Sequence, residues 1–115
     1  MVNRITRDRL KAKLDGGEKI YLVEALPEKY FLEKHLPGAI NLPHDRVAEL
    51  APELLSDRAA EIVVYCASTT CQNSTIAAEK LTELGYANVR DYKEGKQDWV
   101  DAGLPTDTSQ SLTMA

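Results

Sequence analysis

The apolar positions of this chain fall into short runs whose period changes along its length. Lys19–Glu24 carries Ile20, Leu22 and Val23 and reads as a strand. Glu61–Tyr65 holds Ile62-Val63-Val64-Tyr65, a nearly continuous β-prone run that fits a central strand covered on both faces. Asn88–Tyr92 reads as a further strand, and Asn3–Ile5 and Ala39–Leu42 as short extended pieces. Between these runs the period lengthens to that of a helix. Thr6 is placed to cap a helix from Arg7 to about Leu14, with Leu10 and Leu14 on one face and Asp15-Gly16-Gly17 as its stop. Pro27 suits the first turn of a helix that continues from Glu28 to Lys34, until Leu36-Pro37-Gly38 breaks it. Asp45 is expected to cap a helix through Val47 and Leu50, with Pro52 restarting a turn through Leu55. Gln72–Leu84 has Ala77, Leu81 and Leu84 on one face and Gly85 as its stop. A last helix is expected over Lys96–Ala102, with Trp99 as a core contact and Gly103 and Pro105 closing it.

Strands alternating with helices imply an α/β fold, a parallel sheet with helices on both faces. In such sheets ligands bind beyond the carboxyl ends of the strands. Cys66 stands at such a place, where the most hydrophobic strand gives way to a loop and a helix.

The bulk properties narrow the function. A chain of 115 residues suits one domain, expected over 1–105, with the polar stretch 106–115 as a flexible tail. A net charge of −4 with both signs interspersed argues against nucleic acid as a partner. No apolar run approaches the roughly 18 residues that cross a bilayer, and Met1–Leu10 is too polar for a secretory signal, so no membrane association is expected. The two cysteines, Cys66 and Cys71, are too few for a secreted disulfide scaffold. Zinc would need further ligands near them, and His35 and His44 lie well upstream. A cytoplasmic setting with reduced thiols, no metal and no cofactor is the expectation. The chain is expected to be a monomer or a homodimer.

The loop Cys66-Ala67-Ser68-Thr69-Thr70-Cys71, continuing into Gln72-Asn73-Ser74, is built of small and hydroxylic residues. Such a loop can turn successive backbone N–H groups inward as an anion-binding nest, and the helix behind it adds unpaired N–H groups and a positive dipole end. Both would favour a thiolate at Cys66 and lower its pKa from about 8.5 toward roughly 3.5–7.5. The same cradle, residues 67–72, would hold the anionic end of a persulfide. Against this stands a plainer reading, that Cys66 is a small buried hydrophobe ending a strand.

From Lys19 to Pro105 the chain resembles the rhodanese-like sulfurtransferase family. The resemblance rests on His35-Leu36-Pro37-Gly38-Ala39-Ile40-Asn41-Leu42-Pro43 and on the strand Val63-Val64-Tyr65-Cys66. It is carried further by Ala77-Ala78, Leu81, Gly85-Tyr86, Val89, Gly95, Trp99 and Gly103-Leu104-Pro105 at the family's usual spacings. It implies a five-stranded parallel sheet and a persulfide mechanism. Cys66 would take sulfane sulfur from a small donor (a persulfide, a polysulfide or thiosulfate) and pass it to a thiol or cyanide. The chain departs from the family where many members carry an arginine. Cys71 stands five residues after Cys66 and Gln72 six after it, so the bidentate clamp on phosphate or sulfonate oxygens is missing. That argues against phosphatase or arsenate-reductase activity and favours a persulfide or polysulfide over thiosulfate. The family's aspartate and arginine after the second strand are replaced by Glu24 and Leu26. The Cys-x4-Cys loop resembles a subgroup of the family, and it leaves Cys71 open either as a resolving thiol for the Cys66 persulfide or as a packed helix-start residue.

The remaining candidates read as structural. His35 is expected to bond backbone and shape the Pro37-Gly38 turn, and His44 to be exposed. Ser68, Thr69 and Thr70 can donate to bound sulfur but are also ordinary loop and capping residues. Trp99 reads as core, with one edge able to reach the site. Lys93 and Lys96 could guide an anionic donor, though a solvated surface is the preferred reading. Tyr30 and Phe31 could line a pocket or pack a helix on the sheet. Three functions therefore compete: a sulfur carrier, a non-catalytic interaction or sensor domain, and a dithiol redox protein using Cys66 and Cys71.

Overall fold

The computed structural model describes residues 3–107. Five strands, β1 (Asn3–Arg4), β2 (Ile20–Glu24), β3 (Ile40–Asn41), β4 (Glu61–Tyr65) and β5 (Asn88–Tyr92), alternate with helices α1 (Arg7–Asp15), α2 (Glu28–Glu33), α3 (Val47–Leu54), α4 (Asn73–Glu83) and α5 (Gly95–Asp101). The strands form one sheet in the order β1-β5-β4-β2-β3, and every pair is parallel. The Ile-Val-Val-Tyr run is the central strand, as its unbroken hydrophobicity predicts. Along β4 successive side chains alternate between faces: Ile62 and Val64 join one core, Val63 and Tyr65 the other. The first core is closed by Val47 and Ala51 of α3 and Ala77, Ala78 and Leu81 of α4. The second is closed by Leu10 of α1, Phe31 of α2 and Trp99 of α5.

Local signals set several helix ends as expected. The Thr6 hydroxyl accepts from the Arg9 amide at the start of α1, and Gly17, at φ 71°, turns the chain out of its end. Two helical expectations change. Asp45 does not cap α3, which starts at Val47 with no side-chain cap. Pro52 does not restart a helix but lies inside α3. Its missing N–H costs one bond near the helix end, and the helix runs only two residues further. The exposed end is covered from outside, where the buried Tyr86 hydroxyl donates to the carbonyls of Ala51 (3.1 Å) and Leu55 (2.7 Å).

His35 is fully buried, stacked on Phe31 at 3.9 Å, with Nδ1 2.9 Å from the Phe31 carbonyl. Its backbone pairs in both directions with Asp107, a residue that the composition of the chain end assigns to the tail. The rest of that expected tail, 108–115, lies outside the described residues. His44 is half-buried rather than exposed, and its Nδ1 is enclosed without a partner. Among the described residues no helix is long and apolar enough to cross a membrane.

Candidate active site

Central position in the sheet puts the carboxyl end of β4 between two neighbouring strands, and the loop leaving β4 is held from the β5 side. The carbonyls of Cys66 and Ala67 accept from the amides of Lys96 and Gln97, both at 2.8 Å. The start of α5 thus docks directly on the backbone of the loop. Only glycine permits this approach at position 95: its φ is 73°, and a Cβ there would lie 2.6 Å from the Cys66 carbonyl oxygen. Beyond Ala67 the chain closes a turn, with the Cys71 amide donating to the Ser68 carbonyl at 3.1 Å. That turn brings Cys71 back over Cys66.

Two loop carbonyls approach the sulfur, Cys71 at 3.4 Å and Ser68 at 4.0 Å, and the thiol donates toward them. Of the amides in the expected nest of residues 67–72, that of Cys71 is committed to the 68–71 turn. The hydroxyls of Ser68 and Thr70 bond each other at 3.0 Å, and Ala67, Thr69, Thr70 and Gln72 are exposed. Ser74, in the first turn of α4, favours the charged form of the sulfur, while its buried hydroxyl makes no hydrogen bond at rest. Cys66 is wholly buried, and that burial outweighs Ser74: it pushes the thiol above its ordinary value near 9, and the neighbouring Cys71 thiol pushes the same way. Burial thus works against the lowered thiolate expected from the loop's composition. Both cysteines are free.

Ser74 was legible only in part. It lies just beyond the loop in sequence, but its burial and its unpartnered hydroxyl are products of packing against the sheet. The two lysines also depart from the solvated surface expected of them. Lys93 is half-buried and donates to the Cys71 carbonyl at 2.8 Å. Lys96 is nearly buried, and its ammonium lies 3.0 Å from the wholly buried carboxylate of Glu24. It also bonds the carbonyls of Tyr30 and Lys34 at the end of α2. Glu24 in turn accepts from the Tyr65 hydroxyl at 2.7 Å, and that hydroxyl accepts from the Leu36 amide. Burial pushes the Glu24 carboxyl above its usual range, against the pull of Tyr65 and Lys96. Glu24 thus keeps the polar role open to it, while Leu26 is simply buried.

Beside the loop lies a cavity of about 230 Å³ lined by Leu26, Tyr30, Lys34, Ala67, Lys96 and Gln97, among others. Tyr30 lines it from α2, whereas Phe31 packs inward. Trp99 stays in the core, donating to the Pro105 carbonyl at 2.7 Å, and does not line this cavity.

A five-stranded parallel sheet with helices on both faces, its central strand leading into a short loop that begins with a buried cysteine, defines the α/β class of this chain. Residues 6–102 match the family described as the rhodanese-like domain, and the chain belongs to that family. Among curated proteins it is 35% identical over 103 residues to the HTH-type transcriptional regulator Rv0324 of Mycobacterium tuberculosis, a match covering 90% of this chain and 44% of that protein. It is 37% identical over 111 residues to the adenylyltransferase and sulfurtransferase UBA4 of Candida albicans, covering 89% of this chain and 25% of that one. The chain therefore spans less than half the length of either relative. Among solved structures, the BH2092 protein of Bacillus halodurans superposes with a TM-score of 0.86 at 24% identity, over 92% of this chain and 77% of that one. The thiosulfate sulfurtransferase of Pseudomonas aeruginosa does so with a TM-score of 0.83 at 21% identity, over 93% of this chain and 20% of that one. Fold and family are as the sequence motifs imply, and sulfurtransferase-related proteins are among its relatives.

Proposed function

We propose that this domain accepts sulfane sulfur on Cys66 and passes it to a thiol or cyanide acceptor. The observation that carries the reading is a buried cysteine directly after the central strand, with Ser74 of α4 nearby and its buried hydroxyl without a hydrogen-bond partner. A free donor of this kind is suited to a sulfur that becomes anionic. The thiolate attacks the outer sulfur of a persulfide or polysulfide, the donor's S–S bond breaks, and the donor leaves as a thiolate. An acceptor then takes the sulfur and returns Cys66 to its thiol. No loop side chain offers the planar bidentate clamp of an arginine, which favours persulfide and polysulfide donors over thiosulfate. The cavity beside Ala67 offers room for the remainder of a small donor or acceptor.

Intact mass after exposure to glutathione persulfide, polysulfide and thiosulfate in turn tests this. A gain of one sulfur atom that disappears in Cys66→Ser is expected with the first two donors. Loading that persists in Cys66→Ser would remove the assignment.

A second reading has an observation of its own. The raised Cys66 thiol and its burial suit a domain that senses sulfur species or binds a partner without turnover, and one relative is named a transcriptional regulator. Release of the loaded sulfur to added cyanide over many cycles separates the two, since a sensor loads once and does not turn over.

A further inference from the structure

The loop carries a second thiol, and three contacts place it against the first. The 68–71 turn folds Cys71 back, with its amide on the Ser68 carbonyl at 3.1 Å. The Cys66 sulfur then lies 3.4 Å from the Cys71 carbonyl oxygen, which sets the two cysteines side by side in the loop. Lys93, the residue after β5, holds this arrangement by donating to that same Cys71 carbonyl at 2.8 Å. Its ammonium and the Cys66 sulfur thus share the Cys71 carbonyl oxygen, at 2.8 Å and 3.4 Å, so a positive charge stands close to the sulfur. Cys71 is half-exposed where Cys66 is buried.

We propose that Cys71 discharges the Cys66 persulfide within the same loop, releasing hydrosulfide, and that Lys93 is the positioning residue for this step. The inference rests on the reading that Cys66 carries sulfane sulfur. The Cys71 thiolate attacks the Cys66 sulfur, forming the Cys66–Cys71 bond and breaking the bond between Cys66 and the sulfane sulfur. The electron pair leaves with that outer sulfur, which departs as hydrosulfide and takes up a proton to become hydrogen sulfide. The two cysteine sulfurs are oxidised to a disulfide and the sulfane sulfur is reduced to sulfide, so the persulfide is its own oxidant. Two external thiols, of the kind a reducing compartment supplies, reopen the disulfide. Ser74 stays on the Cys66 side of the exchange, and Lys93 places its charge beside the departing anion.

The experiment uses the full chain, loaded with glutathione persulfide and then freed of donor without added thiol. Intact mass and released sulfide are followed together. The unmodified chain should lose its extra sulfur as sulfide and become lighter than the reduced protein by two hydrogens. Cys71→Ser and Cys71→Ala should keep the extra sulfur at least about tenfold longer. With the rate read from chains already loaded, Lys93→Met should slow sulfide release by about tenfold, and Lys93→Arg should restore it. A lysine that only holds the fold would leave the release rate of loaded Lys93→Met unchanged. Equal retention of sulfur by the unmodified chain and the Cys71 variants overturns this proposal and leaves the Cys66 reading standing. Failure of every form to load at Cys66 overturns both.

Discussion

Two buried polar groups sit at the carboxyl end of the sheet on neighbouring strands, and they are treated in opposite ways. Glu24, paired in register with Tyr65 across β2 and β4, is satisfied by the Tyr65 hydroxyl and the Lys96 ammonium. Lys96 in turn fills its remaining positions with carbonyls at the end of α2. One residue beyond β4, Cys66 is equally buried but faces two carbonyls, and the buried Ser74 hydroxyl in the following helix has no hydrogen-bond partner. A closed network in a low-dielectric interior fixes geometry, because each member loses heavily if it moves. An incompletely satisfied group is the one left able to change its chemistry. The fold thus uses its complete polar network to anchor α2 and α5 around the loop, and leaves the loop sulfur unfinished.

The contrast is most severely disturbed by Lys96→Met. It leaves the Glu24 carboxylate buried beside Tyr65 without its cation, and should cost about 3–5 kcal/mol of stability by urea unfolding. A variant within ~1 kcal/mol of the parent would show that water reaches Glu24 and that the network is not closed. Gly95→Ala comes next. The added Cβ meets the Cys66 carbonyl at 2.6 Å in a backbone conformation that favours glycine. A loss of about 2–4 kcal/mol is expected, with sulfur loading at Cys66 impaired at temperatures where the variant is still folded. Normal loading in a folded Gly95→Ala protein would mean that the α5 contact does not set the loop.

The smallest effect on stability sharpens the other side. Ser74→Ala removes a hydroxyl that has no other hydrogen-bond partner, so unfolding should shift by no more than ~0.5 kcal/mol. Its effect belongs to reactivity. With burial raising the Cys66 thiol above its ordinary value near 9, alkylation of the resting protein should be slow at neutral pH and climb only as pH rises through and beyond that value. Ser74 favours the charged form, so Ser74→Ala should move the climb to still higher pH. A rate already at its plateau at about pH 7 would contradict a protonated resting thiol.

Much of the frame is legible in the sequence. The Ile62-Val63-Val64-Tyr65 run announces a strand covered on both faces, and Thr6, Gly17 and Pro27 mark helix ends through chemistry confined to a few residues. Pro52 misleads because a proline near a helix end costs little when a distant group covers that end, and Tyr86 does so from 31 and 35 positions away. The lysines mislead for a related reason. A cation reads as surface until an acid elsewhere is buried, and Lys96 meets Glu24 across a separation of 72 residues.

The candidate site divides along the same line. By itself the sequence determined that a cysteine follows the central strand, that a second stands five residues later, and that no arginine lies between it and the next helix. Local order along the chain suffices for such facts. Only the tertiary structure decided that the Ser68 and Cys71 carbonyls approach the sulfur, that Ser74 is buried with its hydroxyl unpartnered, and that Lys93 and Gly95 meet the loop from beyond β5. Burial and charge pairing depend on which strands become neighbours, and the pairing of β4 with β5 exists only once the sheet has formed.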